Sequence, residues 1–301
     1  MRKQHAILPL FVLATFSFAG AFQSPGAAVN PASAMHWRQI GPPRAGRARA
    51  LSGVAGQPNL FYIGFDNGGM WRSTDYGSTW QPLFDRESTG SIGAIAVAPS
   101  DPNVIYVGSG AGVIRPDLAT GNGVYKSTDA GKTWTHLGLP DSQMIAMIDV
   151  SPRDPNRVFV AVLGHPYGPN AERGIFRSTD GGKSFEKVLY KDEYTSGDDV
   201  RIDPGDPNTV YAALWQQQQS FTEGGAFGPA ADSNSGGIFK STDGGTTWTE
   251  LKEGLPDVTQ ANLALAPGNP KTVYAMVAAA GATGGGRGGR GGGGGGSTGL
   301  Y

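Results

Sequence analysis

Four aspartates recur in this sequence with the same neighbours, and their carboxylates are the first groups to consider for acid–base chemistry. Each follows a Ser-Thr pair and precedes a Gly by two residues, and they are spaced about 50 to 60 residues apart. Catalytic carboxylates act as one pair around a bond, whereas these repeat in every unit. Short polar side chains followed by Gly are typical of tight turns, so we expect a structural role. The motif residues are Ser73, Asp75, Gly77, Trp80, Ser127, Asp129, Gly131, Trp134, Ser178, Asp180, Gly182, Phe185, Ser241, Asp243, Gly245 and Trp248.

A pair of arginines near the start of the repeats has the chemistry to bind an anion. Arg47 and Arg49 are separated by one residue in a segment that reads as a strand, so alternation would place both side chains on one face. Neighbouring guanidinium groups hold a carboxylate through paired hydrogen bonds. We therefore expect an anion or peptide-terminus site at these arginines.

Aromatic and acidic residues in the connections between repeats are further candidates for ligand contacts. His165, Tyr167 and Trp215 have rings that stack on sugars or peptides. Asp198 and Asp199 belong to an acidic connection between the third and fourth units, where they could pair with basic groups or hold a divalent cation. The alternative for this connection is a solvated loop. No His-based metal cluster or nucleophile triad can be assembled, so we predict no metal and no cofactor.

Each aspartate motif lies between two short apolar segments, so the unit reads as strand, turn, strand. A second turn, Asp-Pro-Asn or a close variant, occurs upstream in every unit, for example at 101–103 and 154–156. Apolar segments flank that turn as well. One unit therefore contains four antiparallel strands.

The pattern Ser-x-Asp-x-Gly-x-x-Trp resembles the Asp-box, or BNR repeat, of β-propeller proteins. Such repeats occur in sialidases, sortilin-type receptors, two-propeller xyloglucanases and photosystem II stability factors. The resemblance implies an all-β propeller in which each unit is a blade of four antiparallel strands. It does not select among the functions of these families.

The strand order within a blade separates the connections onto two faces. The Asp-Pro-Asn turns and the Asp-boxes share one face, called here the Asp-box face. The long connections share the other, called the loop face, and they are 109–123, 164–174, 216–237 and 278–299. Variable loops on a rigid scaffold usually carry binding, so we expect ligands at the loop face. The innermost strand of the first blade would turn Arg47 and Arg49 toward the central channel.

The chain is predicted to contain a signal peptide, a linker and a propeller. Residues 1–21 have a charged start, an apolar core and small residues at the cleavage site, which indicates export to the periplasm or the medium. Residues 22–35 form the linker, and 36–301 form the propeller. The predicted blades are 36–85, 86–138, 139–190, 191–252 and an incomplete 253–301. Because an open propeller leaves sheet edges unpaired, we expect this chain to be part of a longer protein.

The resemblance to two-propeller xyloglucanases implies one candidate catalytic residue. Asp66 precedes a Gly-Gly-Met-Trp stretch in a place similar to that of one catalytic carboxylate of those enzymes, which implies a general base. The acid partner in that family belongs to a second propeller, which this chain does not include. The alternative is a polar turn residue. Sialidase activity is disfavoured, because segment 37–43 lacks the Arg-Ile-Pro sequence of that family.

Composition narrows the range of partners. A net charge of -1 argues against a basic face for nucleic acid, and the absence of cysteine excludes disulfides and thiolate metal sites. No apolar run after the N-terminus is long enough for a membrane span. We predict a binding scaffold for a peptide or a carbohydrate, and the alternative is a glycoside hydrolase that uses Asp66.

Overall fold

The computed structural model of the protein describes residues 46–113, 119–216, 236–267, 269, 272–279 and 298–301. The predicted signal peptide and linker lie outside these residues, as do parts of three long connections. By its internal contacts the chain divides into Met1–Arg38 and Gln39–Tyr301. All described residues belong to the second unit.

Five antiparallel sheets make up the described part of the chain. The first contains β1 (Ala48–Val54), β2 (Gln57–Phe65), β3 (Gly69–Ser73) and β4 (Gln81–Pro82). The second contains β5 (Ile92–Val97), β6 (Ile105–Ser109), β7 (Val124–Ser127) and β8 (Thr135–Gly138). The third contains β9 (Ile145–Val150), β10 (Val158–Val162), β11 (Gly174–Ser178) and β12 (Glu186–Leu189). The fourth contains β13 (Thr195–Ile202), β14 (Val210–Gln216), β15 (Gly237–Ser241) and β16 (Thr249–Leu251), and the last contains β17 (Val258–Leu265), β18 (Val273–Ala279) and β19 (Thr298–Leu300).

The strands of each sheet are hydrogen-bonded in chain order. The predicted all-β propeller of four-stranded antiparallel blades is therefore confirmed, with a last blade of three described strands. Aromatic and β-branched residues make up most of the second strands β6 and β10, as expected for a pleated surface that packs on both sides.

The hydrophobic core lies between neighbouring blades. Every residue of β6 and of β10 is buried, whereas the outermost strand β8 is exposed or half-buried throughout. One core cluster joins Tyr106 of the second blade to Ile148 and Val160 of the third. Each blade is therefore stabilised mainly by burying its faces against its neighbours.

The innermost strands of successive blades pack against one another in chain order, β1 with β5, β5 with β9, β9 with β13 and β13 with β17. These strands form a continuous row. Side chains of successive innermost strands thereby come close together.

A basic residue just before each of the first three Asp-boxes joins one blade to the next. Arg177 donates to the Gly244 carbonyl at 2.7 Å, and Lys126 donates to the Gly181 carbonyl at 3.3 Å. Arg72 donates to the Ala130 carbonyl at 3.4 Å. The acceptor is in each case the residue after the Asp-box aspartate of the following blade.

Candidate functional site

The four Asp-boxes form the same hydrogen-bonded turn. In the second blade, Ser127 Oγ donates to Asp129 Oδ1 at 2.7 Å, and the Gly131 N–H donates to Ser127 Oγ at 2.8 Å. The Thr133 N–H donates to Asp129 Oδ1 at 2.9 Å, and its hydroxyl donates to Oδ2 at 2.6 Å. The same four bonds recur in the other three boxes. Both carboxylate oxygens thus accept hydrogen bonds from their own turn.

These hydrogen bonds also set the ionisation of the carboxylates. The Thr133 hydroxyl, followed by its backbone N–H, lowers the pKa of Asp129 to about 2. The pKa of Asp75 is lowered to about 2 by the equivalent groups of Thr79. Such carboxylates are permanently ionised acceptors at neutral pH, which fits a structural role better than proton transfer.

The Asp-boxes lie beside the second set of turns. The Ala130 N–H donates to the Asn103 carbonyl at 3.0 Å, and the Gly181 N–H donates to the Asn156 carbonyl at 2.9 Å. The two turns of a blade therefore share the Asp-box face. The remaining candidates belong to the loop face and the innermost strands.

Asp66 lies in the turn between β2 and β3 and is fully buried. Its backbone N–H donates to the Arg47 carbonyl at 3.0 Å, which links this turn to the segment that leads into β1. The N–H of Gly69, at the start of β3, donates to the Gly90 carbonyl at 2.7 Å. Asp66 is thus a buried residue at the loop-face end of the first blade, rather than a solvated turn residue.

The innermost strands of the first four blades have a β-bulge at the same register position. The extra residues are Arg49, Gly93, Ala146 and Asp198. A bulge interrupts the alternation of side chains and redirects the extra residue. The expectation that Arg47 and Arg49 share one face stays a prediction, since β1 begins at Ala48 and the bulge at Arg49 interrupts the alternation between them.

Asp198 is a buried residue of the innermost strand, and the predicted acidic connection is wrong at this point. Both Asp198 and Asp199 lie within β13, with 9% and 2% of their surfaces exposed. Burial, followed by the Asp199 charge, raises the pKa of Asp198 to about 7, while a hydrogen bond from Gln260 and the Arg49 charge oppose that rise. The first and fourth blades thus bring Arg49 and Asp198 within electrostatic reach of each other. We call Arg49, Asp198 and Gln260 the inner-strand site.

Asp199 and Asp149 join successive innermost strands through backbone groups. Asp149 Oδ2 accepts from the Ile202 N–H at 2.7 Å, and Asp199 Oδ2 accepts from the Leu263 N–H at 2.8 Å. Asp199 also pairs with Arg201 at 3.0 Å. Burial raises the pKa of Asp149 to about 6, and that of Asp199 is raised for the same reason. Sequence analysis missed Asp149, although a lone carboxylate in the apolar run Ile145–Val150 was the available signal.

The long connection of the third blade is organised by the predicted candidate His165 and by three polar residues that sequence analysis missed, Asp141, Asn170 and Arg173. His165 Nε2 lies 2.8 Å from Asp141 Oδ1, and Asn170 Nδ2 donates to Asp141 Oδ2 at 3.0 Å. Arg173 is fully buried and donates to the carbonyls of Leu163 at 2.7 Å and His165 at 2.6 Å. This connection is therefore held in one conformation on the loop face.

The two aromatic candidates occupy separate places. Tyr167, in the third-blade connection, is 37% exposed. Trp215 is half-buried on β14 and lies opposite Ser196 of β13, two residues before Asp198. The structure thus places Trp215 near the inner-strand site, while His165 and Tyr167 belong to the third-blade connection.

The residues that the structure describes form neither a metal-binding cluster nor a membrane-spanning helix. Among them, no group of three or more His, Asp or Glu side chains is arranged to hold a metal ion. Within the same ranges, no helix has the length and hydrophobicity needed to cross a bilayer.

Comparison with known proteins identifies the family. The Sortilin-Vps10 model, described as "Sortilin, neurotensin receptor 3", matches residues 122–278, just over half of the chain. The chain belongs to the Sortilin-Vps10 family. The match includes the Asp-boxes of the second, third and fourth blades, together with His165, Asp198 and Trp215.

Xyloglucanases are among the proteins whose sequences are similar to this chain. Xyloglucanase Xgh74A of Acetivibrio thermocellus is 29% identical over 214 residues, which cover 64% of this chain and 24% of that enzyme. A xyloglucanase of Hypocrea jecorina is 26% identical over 253 residues, which cover 75% of this chain and 28% of that enzyme. The crystal structure of an ancestral GH74 enzyme superposes with a TM-score of 0.60 at 25% identity, covering 82% of this chain and 29% of that one. The chain thus spans about a quarter of the length of the curated relatives it matches.

Proposed function

We propose that this chain is the ligand-binding part of an exported propeller protein, and that its loop face and innermost strands hold a carbohydrate or a peptide. The observation that carries this proposal is the inner-strand site. Arg49 and Asp198 occupy the same bulge position in the first and fourth blades, and their charges interact. Bulges that redirect polar side chains are frequent beside functional sites.

The burial of Asp198 favours a role in binding over a role in stability. An ionised carboxylate that is 91% buried costs free energy unless hydrogen bonds compensate it. The Asp-boxes avoid that cost by supplying donors to both oxygens, whereas Asp198 Oδ2 has no hydrogen-bond partner among the described residues. Strongly shifted carboxyl groups with incomplete hydrogen bonding are concentrated at functional sites.

A carbohydrate is the favoured ligand, because both curated relatives described above are named xyloglucanases. The aromatic surface of Trp215, close to the inner-strand site, is suited to stacking on a sugar ring. Export, which follows from the predicted signal peptide, would bring the protein to extracellular polysaccharide.

The test is binding of the full-length protein to xyloglucan oligosaccharides and to peptides with free and amidated C-termini, measured by calorimetry. We expect saturable binding of at least one of these classes, weakened about tenfold by Arg49→Ala. Arg86→Ala is the matched control, because Arg86 is exposed on the connection between the first and second blades. Absence of binding to every probe would reject the proposal.

A second candidate function is glycoside hydrolysis with Asp66 as the general base. It is supported by the xyloglucanase relatives and by the position of Asp66 at the loop-face end of the first blade. Since glycoside hydrolysis uses a pair of carboxyl groups, the acid would come from outside this chain. We expect Asp66→Asn to lower the turnover of xyloglucan by about a thousandfold with unchanged folding. Asp85→Asn, an exposed carboxylate in the connection after the same blade, is the control.

A further inference from the structure

We propose that a groove between the second and third blades binds an extended acidic peptide, which lies along the edge of β8 and places a carboxylate beside Lys126. We call this cavity of about 530 Å³ the lysine groove. It lies among the Asp-boxes, apart from the loop face and the innermost strands, so it does not depend on the function proposed above. Its lining includes Lys126, Thr133 and Thr135 of the second blade and Asn156, Thr179 and Lys183 of the third.

Lys126 brings an ammonium group into this groove without an ionic partner. Its Nζ donates to the Gly181 carbonyl at 3.3 Å and to Asn156 Oδ1 at 3.4 Å, and it lies 5.1 Å from the centre of the Tyr106 ring. A Cβ at position 181 would lie 2.7 Å from Nζ, so glycine there admits the ammonium group. Among the described residues no carboxylate forms an ion pair with Lys126. A half-buried charge of this kind is stabilised by a counter-ion.

The third blade supplies a carboxylate at the equivalent position. Arg177 of β11 lies opposite Glu186 of β12 and donates to its Oε2 at 2.6 Å. In the second blade the residue opposite Lys126 is Thr135, which is shorter than glutamate and carries no charge. The third blade therefore contains, as part of its own chain, the carboxylate that the lysine groove would take from a ligand.

The other charged residues of the groove also favour an anion. Lys183 is exposed and lines the same groove. The carboxylate of Asp180, which lines it too, already accepts from the N–H and the hydroxyl of Ser184. Burial, followed by the Lys183 charge, lowers the pKa of Lys126, while the charges of Asp154 and Asp180 oppose that shift. A ligand carboxylate would offset the repulsion between the two lysines.

The strand beside the groove favours a peptide over other acidic ligands. β8 is the outermost strand of its sheet, so one edge has no partner strand within the described ranges. The other outermost strands contain residues that discourage pairing, a proline in β4 and a glutamate in both β12 and β16. β8, with the sequence Thr-His-Leu-Gly, has neither proline nor Asp, Glu, Lys or Arg. An extended peptide can add to this edge through backbone hydrogen bonds, and one of its alternate side chains would then enter the groove.

The deciding experiment titrates the full-length protein into a fluorescent peptide of alternating valine and glutamate, followed by fluorescence anisotropy. We expect saturable binding that is at least about tenfold tighter than that of the same peptide with glutamine in place of every glutamate. Methylation of alternate backbone nitrogens removes the donors that would pair with β8. It should weaken binding by about tenfold.

A substitution that fills the groove tests its position. Thr135→Glu gives the second blade the carboxylate that Glu186 supplies in the third, so it should weaken peptide binding by at least about tenfold. Thr249→Glu is the matched control, because Thr249 is exposed at the equivalent position of β16, opposite Lys240. It adds the same charge to another blade and should leave the affinity within about twofold.

Several outcomes would overturn the proposal. Equal affinity for the glutamate and glutamine peptides would do so, as would full affinity in a Thr135→Glu variant that circular dichroism shows to be folded. Loss of binding in Thr249→Glu would place the peptide on the fourth blade. An oligogalacturonide that displaces the peptide at a lower concentration than unlabelled peptide would assign the groove to an acidic glycan instead. Since these variants leave Arg49, Asp66 and Asp198 unchanged, each of these results leaves the binding function proposed above standing.

Discussion

Aspartates serve two different purposes in this propeller, on the Asp-box face and in the innermost strands. Asp129 lies in a solvent-facing turn where its neighbours donate to both of its oxygens, and its pKa is lowered to about 2. Asp198 lies inside β13, with one oxygen lacking a partner among the described residues, and its pKa is raised to about 7. The same side chain is therefore a permanent acceptor in one region and a titrating acid in the other.

The difference shows that burial, opposed by hydrogen-bond donors, sets the pKa of an aspartate: Asp149 accepts at both oxygens, yet burial raises its pKa to about 6. The Asp-box turn carries its own donors within four residues, so it folds as a local unit wherever the motif occurs. Asp149 and Asp199 obtain theirs from the next blade, which makes them dependent on how blades pack. Asp198 Oδ2 lacks a hydrogen-bond partner among the described residues, and Asp198 is the residue at which we propose that a ligand binds.

The largest expected loss of stability follows from a substitution on the loop face. This face has no Asp-box, and the buried Arg173 anchors its third-blade connection instead. Arg173 is fully buried, and Leu163, His165 and Gly168 accept from it through their carbonyls. Replacing it with Met removes the donor to the His165 and Gly168 carbonyls and to Ser196 Oγ, while Ser196 Oγ still donates to the Leu163 carbonyl. We expect a loss of about 3 kcal/mol in the free energy of unfolding, measured in urea.

Arg153→Met is the matched control for Arg173. Arg153 is exposed and donates to one carbonyl, that of Gly205, at 2.9 Å. The control should cost less than about 0.5 kcal/mol. Equal losses in the two variants would show that the third-blade connection is not anchored by Arg173.

The second-largest effect is a dependence of stability on pH, which tests whether the pKa of Asp198 is raised in the folded protein. A raised carboxyl pKa means that the folded state holds the proton more tightly than the unfolded state, so stability falls as pH rises between about 4 and 7. Asp198→Asn removes that cost. We expect the variant to be more stable than the wild type by on the order of 2 kcal/mol at about pH 8 and nearly equal at about pH 4. A constant difference across this range would show that Asp198 does not titrate there.

A smaller effect is expected on the Asp-box face. Asp129→Ala removes the acceptor for Ser127 Oγ, for the Thr133 hydroxyl and for its N–H. Because the carboxylate is close to solvent, water replaces part of this hydrogen bonding, and we expect a loss of about 1 kcal/mol in urea unfolding. Since the pKa of Asp129 is lowered, this contribution should be present above about pH 4 and disappear as pH falls toward 2. Stability of the variant equal to that of wild type at neutral pH would contradict the prediction.

The smallest effect isolates a single hydrogen bond. Thr133→Val removes the hydroxyl that donates to Asp129 Oδ2 at 2.6 Å and keeps the N–H that donates to Oδ1. We expect a loss of about 0.5 kcal/mol and a rise in the pKa of Asp129, followed by NMR titration of its carboxyl carbon. Thr128→Val is the control, since Thr128 is an exposed residue of the same turn. If the pKa of Asp129 is unchanged in Thr133→Val, the Thr133 hydroxyl is not the main cause of the lowered pKa.

Much of the fold could be read from the sequence, because the information is local. The Asp-box at Ser127–Trp134 contains its own donors, acceptors and positive-φ glycine, and the strands on either side are apolar. Repetition of the unit then predicted blades and the two faces. The role expected for the four Asp-box aspartates likewise needed no knowledge of distant residues.

The candidate site could not be read in the same way, because its parts come together only through packing between blades. Arg49 and Asp198 are far apart in sequence, and only the row of innermost strands brings their charges within reach. The bulge that redirects them shifts each strand by one residue, which alternation along the sequence does not reveal.

The sequence by itself determined the repeat, the turn chemistry and the antiparallel blade, since each depends on residues that are neighbours along the chain. The tertiary structure decided that Asp66 is buried, that Asp198 and Asp199 belong to a strand, and that Arg173 anchors a connection. Burial depends on what the neighbouring blade places over a residue. Burial also governs the pKa of a carboxyl group, so the raised pKa of Asp198 appears only in the folded molecule.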